Sequence, residues 1–137
     1  MRSHAELYVH LVWATWDRTP WLRREARAEV HGAIRSQARE MGVETLAVGG
    51  VEDHVHVVVR YPARVSISEI AKHLKGGSSR YVTSVMRLAD PFRWQGTYGA
   101  FSISCRGLDG VCAYVSDQER HHRDGTLFRA LERTSED

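Results

Sequence analysis

Two β-rich runs, Thr45–Val51 (TLAVGGV) and His54–Arg60 (HVHVVVR), are separated only by Glu52-Asp53, and that spacing limits the fold more than any other feature of the chain. β-Branched runs of this length favour extended backbone, and so short a connection leaves an antiparallel hairpin as the natural way to join them. Alternate side chains of a strand leave opposite faces, so His54 and His56 project side by side while Val55, Val57 and Val59 point the other way.

The rest of the chain supplies partners for this hairpin. Tyr8–Trp13 (YVHLVW) reads as another strand, and Tyr98–Ser104 (YGAFSIS) alternates like a further one. Between Leu22 and Met41 the residues Leu22, Ala26, Val30, Ala33, Ile34 and Ala38 recur at helical spacing, and Gly42 is a suitable stop. Ser66 with Glu69 forms a capping box for a second helix, which passes Ile70 and Leu74 and continues to Met86, with Gly76-Gly77 expected to loosen its middle. A last helix is predicted from about Gly110 to His122. The order β-α-β-β-α-β-α predicts an α+β fold: a ferredoxin-like or RRM-like antiparallel sheet with helices packed on one face.

No repeat, low-complexity tract or linker interrupts residues 1–137, and Pro20, Pro62 and Pro91 fall between the periodic segments, so a single domain is expected. No apolar run approaches the roughly 20 residues of a membrane span, and MRSHAELYVH lacks the form of a secretory signal. A cytoplasmic protein with no membrane partner is therefore expected. Cys105 and Cys112 are too few for a disulfide framework. Of nineteen basic side chains only Lys72 and Lys75 are lysines. Guanidinium groups suit bidentate phosphate contacts and stacking on bases, although a GC-rich genome gives the same bias.

The histidine pair has two readings. Strand neighbours about 6.5–7 Å apart at Cα can bring two imidazoles to one divalent ion if second partners hold the right tautomers. They can equally be strand histidines hydrogen-bonded to neighbouring groups. Neither cysteine lies in a Cys-x-x-Cys spacing, so a closed zinc site is not expected. Two imidazoles, an oxygen donor and open positions suit an ion of the Mg²⁺ or Mn²⁺ kind acting on phosphate, though imidazole alone favours later metals. In the last helix Tyr114 and Gln118 stand one turn apart on one face, offering a phenol and an amide oxygen together. A phenol beside a cation can attack phosphorus as phenolate; alone, Tyr114 reads equally as a packing residue.

Taken in order, these motifs resemble a known family. Asp53-His54-Val55-His56 is similar to the His-hydrophobe-His motif of the HUH nucleases, and Tyr114-Val115-Ser116-Asp117-Gln118 to the Tyr-x-x-x-Gln helix of their single-tyrosine, insertion-sequence-200-like transposases. Leu74–Arg80 resembles the family's Leu-Lys-x-x-Ser-Ser-Arg helix, Trp94–Ser102 its Trp-x-x-Gly-Tyr strand entry, and His10–Thr15 its first strand. Thr97 departs from the glycine expected before the tyrosine, and the stretch after Gln118 is short for an added DNA-binding extension. The resemblance spans about residues 4–130. It implies a transposase that nicks and transfers single-stranded DNA at hairpin-bearing element ends, acting as a homodimer. It further implies His54, His56 and Gln118 as ligands of Mg²⁺ or Mn²⁺ and Tyr114 as nucleophile, through a 5′-phosphotyrosine intermediate. No nucleotide cofactor is implied.

Arg64, Lys72, Lys75, Ser78, Ser79 and Arg80 are candidates for DNA-phosphate contacts, with a solvated helix face as the other account. Trp13, Trp16, Trp21 and Trp94 divide between base stacking and core packing. His121 and His122 suit either proton transfer or a helix end, and Asp53 either orients an imidazole or shapes the turn. Three rivals remain: a domesticated nuclease acting on dispersed repeats, a non-catalytic single-strand-binding module, and a metallohydrolase that does not use Tyr114.

Overall fold

The valine alternation at the hairpin decides where the core forms. In the computed structural model, which describes residues 3–88 and 92–134, β3 (His54–Tyr61) is flanked by β2 (Glu44–Gly50) and β1 (Leu7–Ala14). The strand β4 (Gly99–Ile103) completes an antiparallel sheet in the order β2-β3-β1-β4. The Val51 N–H donates to the His54 carbonyl (3.2 Å) and closes the hairpin where Glu52-Asp53 was expected to turn. Pro91 lies outside the described residues. Among those residues no helix is long and apolar enough to cross a membrane.

Val55, Val57 and Val59 share one sheet face with Val9, Leu11 and Trp13 of β1, all without solvent exposure. Two helices cover that face. The helix α1 (Arg24–Glu40) contributes Val30, Ile34 and Ala38, and α2 (Ile67–Tyr81) contributes Ile70 and Leu74. The capping box forms as the sequence requires: the Glu69 N–H donates to Ser66 Oγ (3.1 Å) and the Ser66 N–H to Glu69 Oε1 (3.2 Å). α2 stays α-helical through Gly76-Gly77, because Gly77 lies against the Gln37 side chain of α1 and the two helices approach there. Beyond Tyr81 the helix widens into a π-turn over Val82–Met86.

Two features of the last segment differ from expectation. The helix predicted over Gly110–His122 is two helices, α3 (Leu108–Ser116) and α4 (Gln118–Asp124), with non-helical backbone at Asp117 (φ −121°, ψ 36°). Asp117 there pairs its carboxylate with Arg120, a local bond of the kind that draws short polar residues out of helix interiors. α3 also leaves the layer of α1 and α2. It packs Tyr114 and Val115 against Ala47 and Val58 on the opposite, histidine-bearing face. Gly49 permits the contact, since a Cβ at that position would sit 1.7 Å from the Val115 carbonyl oxygen.

Two predictions follow from the packing. Gly49→Ala forces α3 off the sheet and should cost about 1–3 kcal/mol of stability, measured by urea unfolding. The second concerns acid. Burial first, then the charges of Arg27 and Arg35, lower the pKa of His31 to about 4, so the folded chain holds this imidazole neutral. Below its ordinary value of 6.5 the unfolded chain takes up a proton that the folded chain refuses. Stability should therefore fall as pH drops from 6.5 towards 4, and His31→Gln should flatten that part of a Tm–pH curve.

Candidate active site

The sheet face opposite the main core gathers an unusual density of imidazoles. Register places Val12 across from His56 and Ala14 across from His54. His10, two residues before Val12, reaches the same face and stacks on His56 with ring centroids 5.0 Å apart. His54 and His56 are both buried, at 4% and 0% exposure. Each has its Nδ1 engaged: His54 Nδ1 lies 2.8 Å from Asp53 Oδ1, and His56 Nδ1 lies 2.8 Å from His10 Nε2. Both Nε2 atoms are thus left to face one point. That is the arrangement in which an outer partner fixes an imidazole so that its other nitrogen can serve as a ligand.

A carboxylate occupies that point. Glu132, on a 3-10 turn over Arg129–Glu132, lies 3.2 Å from His54 Nε2 and 3.2 Å from His56 Nε2. One ligand atom from each of His54, His56 and Glu132 falls within 4.8 Å of the other two, close enough to share a cation. The donor set, two imidazoles with occupied outer nitrogens and one carboxylate, fits a divalent ion.

Tyr114 completes the cluster. Its hydroxyl donates to Glu132 Oε2 (2.5 Å) and accepts from the Phe128 N–H (3.2 Å). Its ring lies edge-on to His56 at 6.1 Å between centroids. Gln118 is buried although a helix boundary separates it from Tyr114: its Nε2 donates to the Tyr114 carbonyl (3.3 Å), and its Oε1 lies 3.1 Å from His122 Nε2. His122 Nε2 in turn stands 3.2 Å from His54 Nε2 and 3.4 Å from Glu132 Oε1. Gln118 therefore joins the histidine pair by way of His122.

The electrostatics follow from burial and this shared carboxylate. Burial favours the acid form of Glu132, but hydrogen bonds from His54, His56 and Tyr114 outweigh it and hold the carboxyl far below its usual range. Burial pushes His56 down, and burial with the neighbouring His56 takes His10 to about 3, so both rings are neutral. At His54 burial is overcome by the hydrogen bonds to Asp53 and Glu132, which raise it. Burial and the bond to Glu132 push the Tyr114 phenol up to about 12. A phenol in that state is a weak nucleophile.

The proposed site residues thus divide. His54, His56, Tyr114 and Gln118 meet on one face. Arg64, Lys72 and Arg80 are exposed and Ser79 half-buried in and before α2, the helix on the other face. Ser78 and Lys75 make hydrogen bonds within the fold. Ser78 is fully buried, donating to the Leu74 carbonyl (2.6 Å) and accepting from Trp94 Nε1 (3.0 Å). Lys75 Nζ donates to the carbonyls of Gln95 (2.6 Å) and Thr97 (3.2 Å). Both side chains hold the segment around Trp94–Thr97. Sequence reading missed Glu132, His10 and the place of His122 in the cluster. Glu132 stands among charged tail residues with no periodicity to mark it, and His10 becomes relevant only through strand register.

A tyrosine, a histidine pair and a carboxylate thus meet on one face of a ferredoxin-like antiparallel sheet. The chain belongs to the IS200-like transposase family, whose description "Transposase IS200 like" matches residues 3–118. It is 29% identical over 118 residues to the ISDra2 transposase TnpA of Deinococcus radiodurans, covering 82% of this chain and 84% of the relative. Its fold is similar to that of a Deinococcus radiodurans R1 protein described as a transposase (TM-score 0.67, 24% identity, 86% of this chain and 98% of that one). It is also similar to that of a REP-associated tyrosine transposase bound to a REP hairpin (TM-score 0.65, 14% identity, 93% and 74%).

Glu132 should hold back the ionisation of Tyr114. In an absorbance titration of the metal-free protein, Glu132→Ala should lower the Tyr114 pKa from about 12, while burial, the larger cause, still holds it above its ordinary value of 10. An unchanged curve would show that the carboxylate does not control the phenol.

Proposed function

We propose that this transposase cuts and rejoins single-stranded DNA at hairpin-bearing ends through a covalent bond to Tyr114. The observation that carries this reading is the convergence of the Tyr114 hydroxyl and the His54 and His56 Nε2 atoms on one carboxylate, Glu132. A nucleophile and a cation-binding pair are thereby held within one chain and on one sheet face.

His54, His56 and Glu132 would hold a divalent ion, Mg²⁺ or Mn²⁺, with Gln118 as a further oxygen donor beside His122. A cation bound there supplies positive charge that stabilises a phenolate and the charge developing on the scissile phosphate. The protein's own groups do the rest. Asp53 and His10 keep the two imidazoles turned towards the site. The Phe128 N–H steadies the Tyr114 oxygen. For reaction, the phenol leaves its hydrogen bond to Glu132, passes its proton to solvent and attacks phosphorus. The P–O3′ bond breaks and O3′ takes a proton from solvent, leaving a 5′-phosphotyrosine and a free 3′-OH. Attack of a 3′-OH on that ester reverses the step and joins strands, and because the bond energy is kept in the ester no nucleotide cofactor is needed.

Hairpin ends as substrate accord with the similar fold of the REP-hairpin-bound relative. Arg64, Lys72, Lys75, Ser79 and Arg80 remain candidates for phosphate contacts away from the nucleophile. Assembly as a homodimer belongs to the same reading. A nuclease acting on dispersed repeats would use this site identically, and the DNA flanking the gene distinguishes it from a mobile element.

Tyr114→Phe should bind a single-stranded hairpin normally and yield no denaturation-resistant protein–DNA band in Mn²⁺. Chelating the ion should abolish the band for the native protein, and His56→Ala should lower it at least tenfold. A Tyr114→Phe protein that still forms the band would exclude this nucleophile.

A further inference from the structure

The turn between β1 and α1 stands at the rim of the site and has no part in the chemistry above. Of the tryptophans, Trp13 and Trp94 are buried and Trp21 packs on Phe92, whereas Trp16 is 48% exposed. The guanidinium of Arg93 lies over its ring, 4.2 Å from the centroid. Next along the chain, Asp17 and Arg18 both take left-handed backbone (φ 56° and 53°), which side chains bearing a Cβ rarely adopt. The turn is nevertheless pinned on several sides. The Thr15 N–H donates to the Asp53 carbonyl (2.9 Å), the Trp16 N–H to the Arg93 carbonyl (2.8 Å), and Thr15 Oγ1 to the Thr19 carbonyl (2.7 Å). Consecutive strained residues held this firmly point to a use for the conformation they enforce.

The outcome of that conformation is the position of Arg18. Its Nη1 lies 3.5 Å from His54 Nδ1 and 3.9 Å from Asp53 Oδ1, and its side chain is 42% exposed. One guanidinium is therefore anchored at the edge of the histidine site with N–H donors still facing solvent. An exposed indole follows from the same turn, with a second guanidinium above it. Flat aromatic surface flanked by cations matches an unpaired nucleotide: the base would stack on the indole face opposite Arg93 and adjoining phosphates would meet the arginines.

We propose that Trp16, Arg18 and Arg93 form a subsite that grips an unpaired nucleotide next to the scissile phosphate, Trp16 by stacking and the arginines by phosphate contact. The strained turn sets the distance between the gripped base and His54. This rests on the reading of the chain as a single-strand DNA transferase and adds the residues that seat the strand.

Binding of a fluorescein-labelled oligothymidylate to the full chain, followed by anisotropy, tests the subsite. Trp16→Ala should weaken binding about 5- to 100-fold. Trp16→Phe should retain most of the affinity, and Arg18→Ala should reduce the salt slope by about one. A single abasic nucleotide moved along the oligonucleotide should weaken binding to the native chain at one position and have no further effect in Trp16→Ala. Equal affinity of native and Trp16→Ala proteins, or an abasic scan unaltered by the substitution, would overturn the proposal. Adduct formation with a hairpin substrate reads the transferase function separately. Adduct without Trp16 dependence removes only the subsite, and Trp16-dependent binding without adduct removes only the transferase reading.

Discussion

The pairing of β3 between β1 and β2 is the constraint on which the remaining structure depends. Because side chains alternate along a strand, the register that buries Val55, Val57 and Val59 beneath α1 and α2 obliges His54 and His56 to take the other face. A slip by one residue would exchange these sets. Each valine contributes roughly 1.5–3 kcal/mol by burial, and two imidazoles would be driven into an apolar core. The core thus enforces the placement of the site, and the same pairing delivers His10 to His56.

The histidine-bearing face then needs only modest additions. Gly49 lets α3 lie close enough to the sheet to bring Tyr114 beside His56, and the 3-10 turn near the C-terminus brings Glu132 between them. The described arrangement is a restrained one. Glu132 binds the phenol and both imidazoles at once, and burial together with that bond makes the phenol hard to ionise. In the proposed reaction a phosphate would compete with this carboxylate for Tyr114.

Much of this was legible from periodicity. The hairpin, the Ser66 capping box and the long α1 stripe are local patterns, and each appears where the residues predict it. The break at Asp117 and the placement of α3 opposite α1 and α2 were not legible, since they depend on tertiary contacts such as Gly49 against Val115. Lys75 and Ser78 join α2 to the Trp94–Thr97 segment, which ties two separated motifs together in one structural contact. His10 and Glu132 escaped notice because their partners lie far along the chain, 46 residues away for His10 and His56.

The central claim is that Tyr114, and no other group, carries the DNA strand. Tandem mass spectrometry of the protease-digested covalent complex tests it most directly, by locating the nucleotide on a peptide and the end through which it is attached. A 5′-phosphate ester on the peptide containing Tyr114 is expected. A nucleotide on Tyr98 or another residue, or a 3′-linked ester on Tyr114, would contradict it.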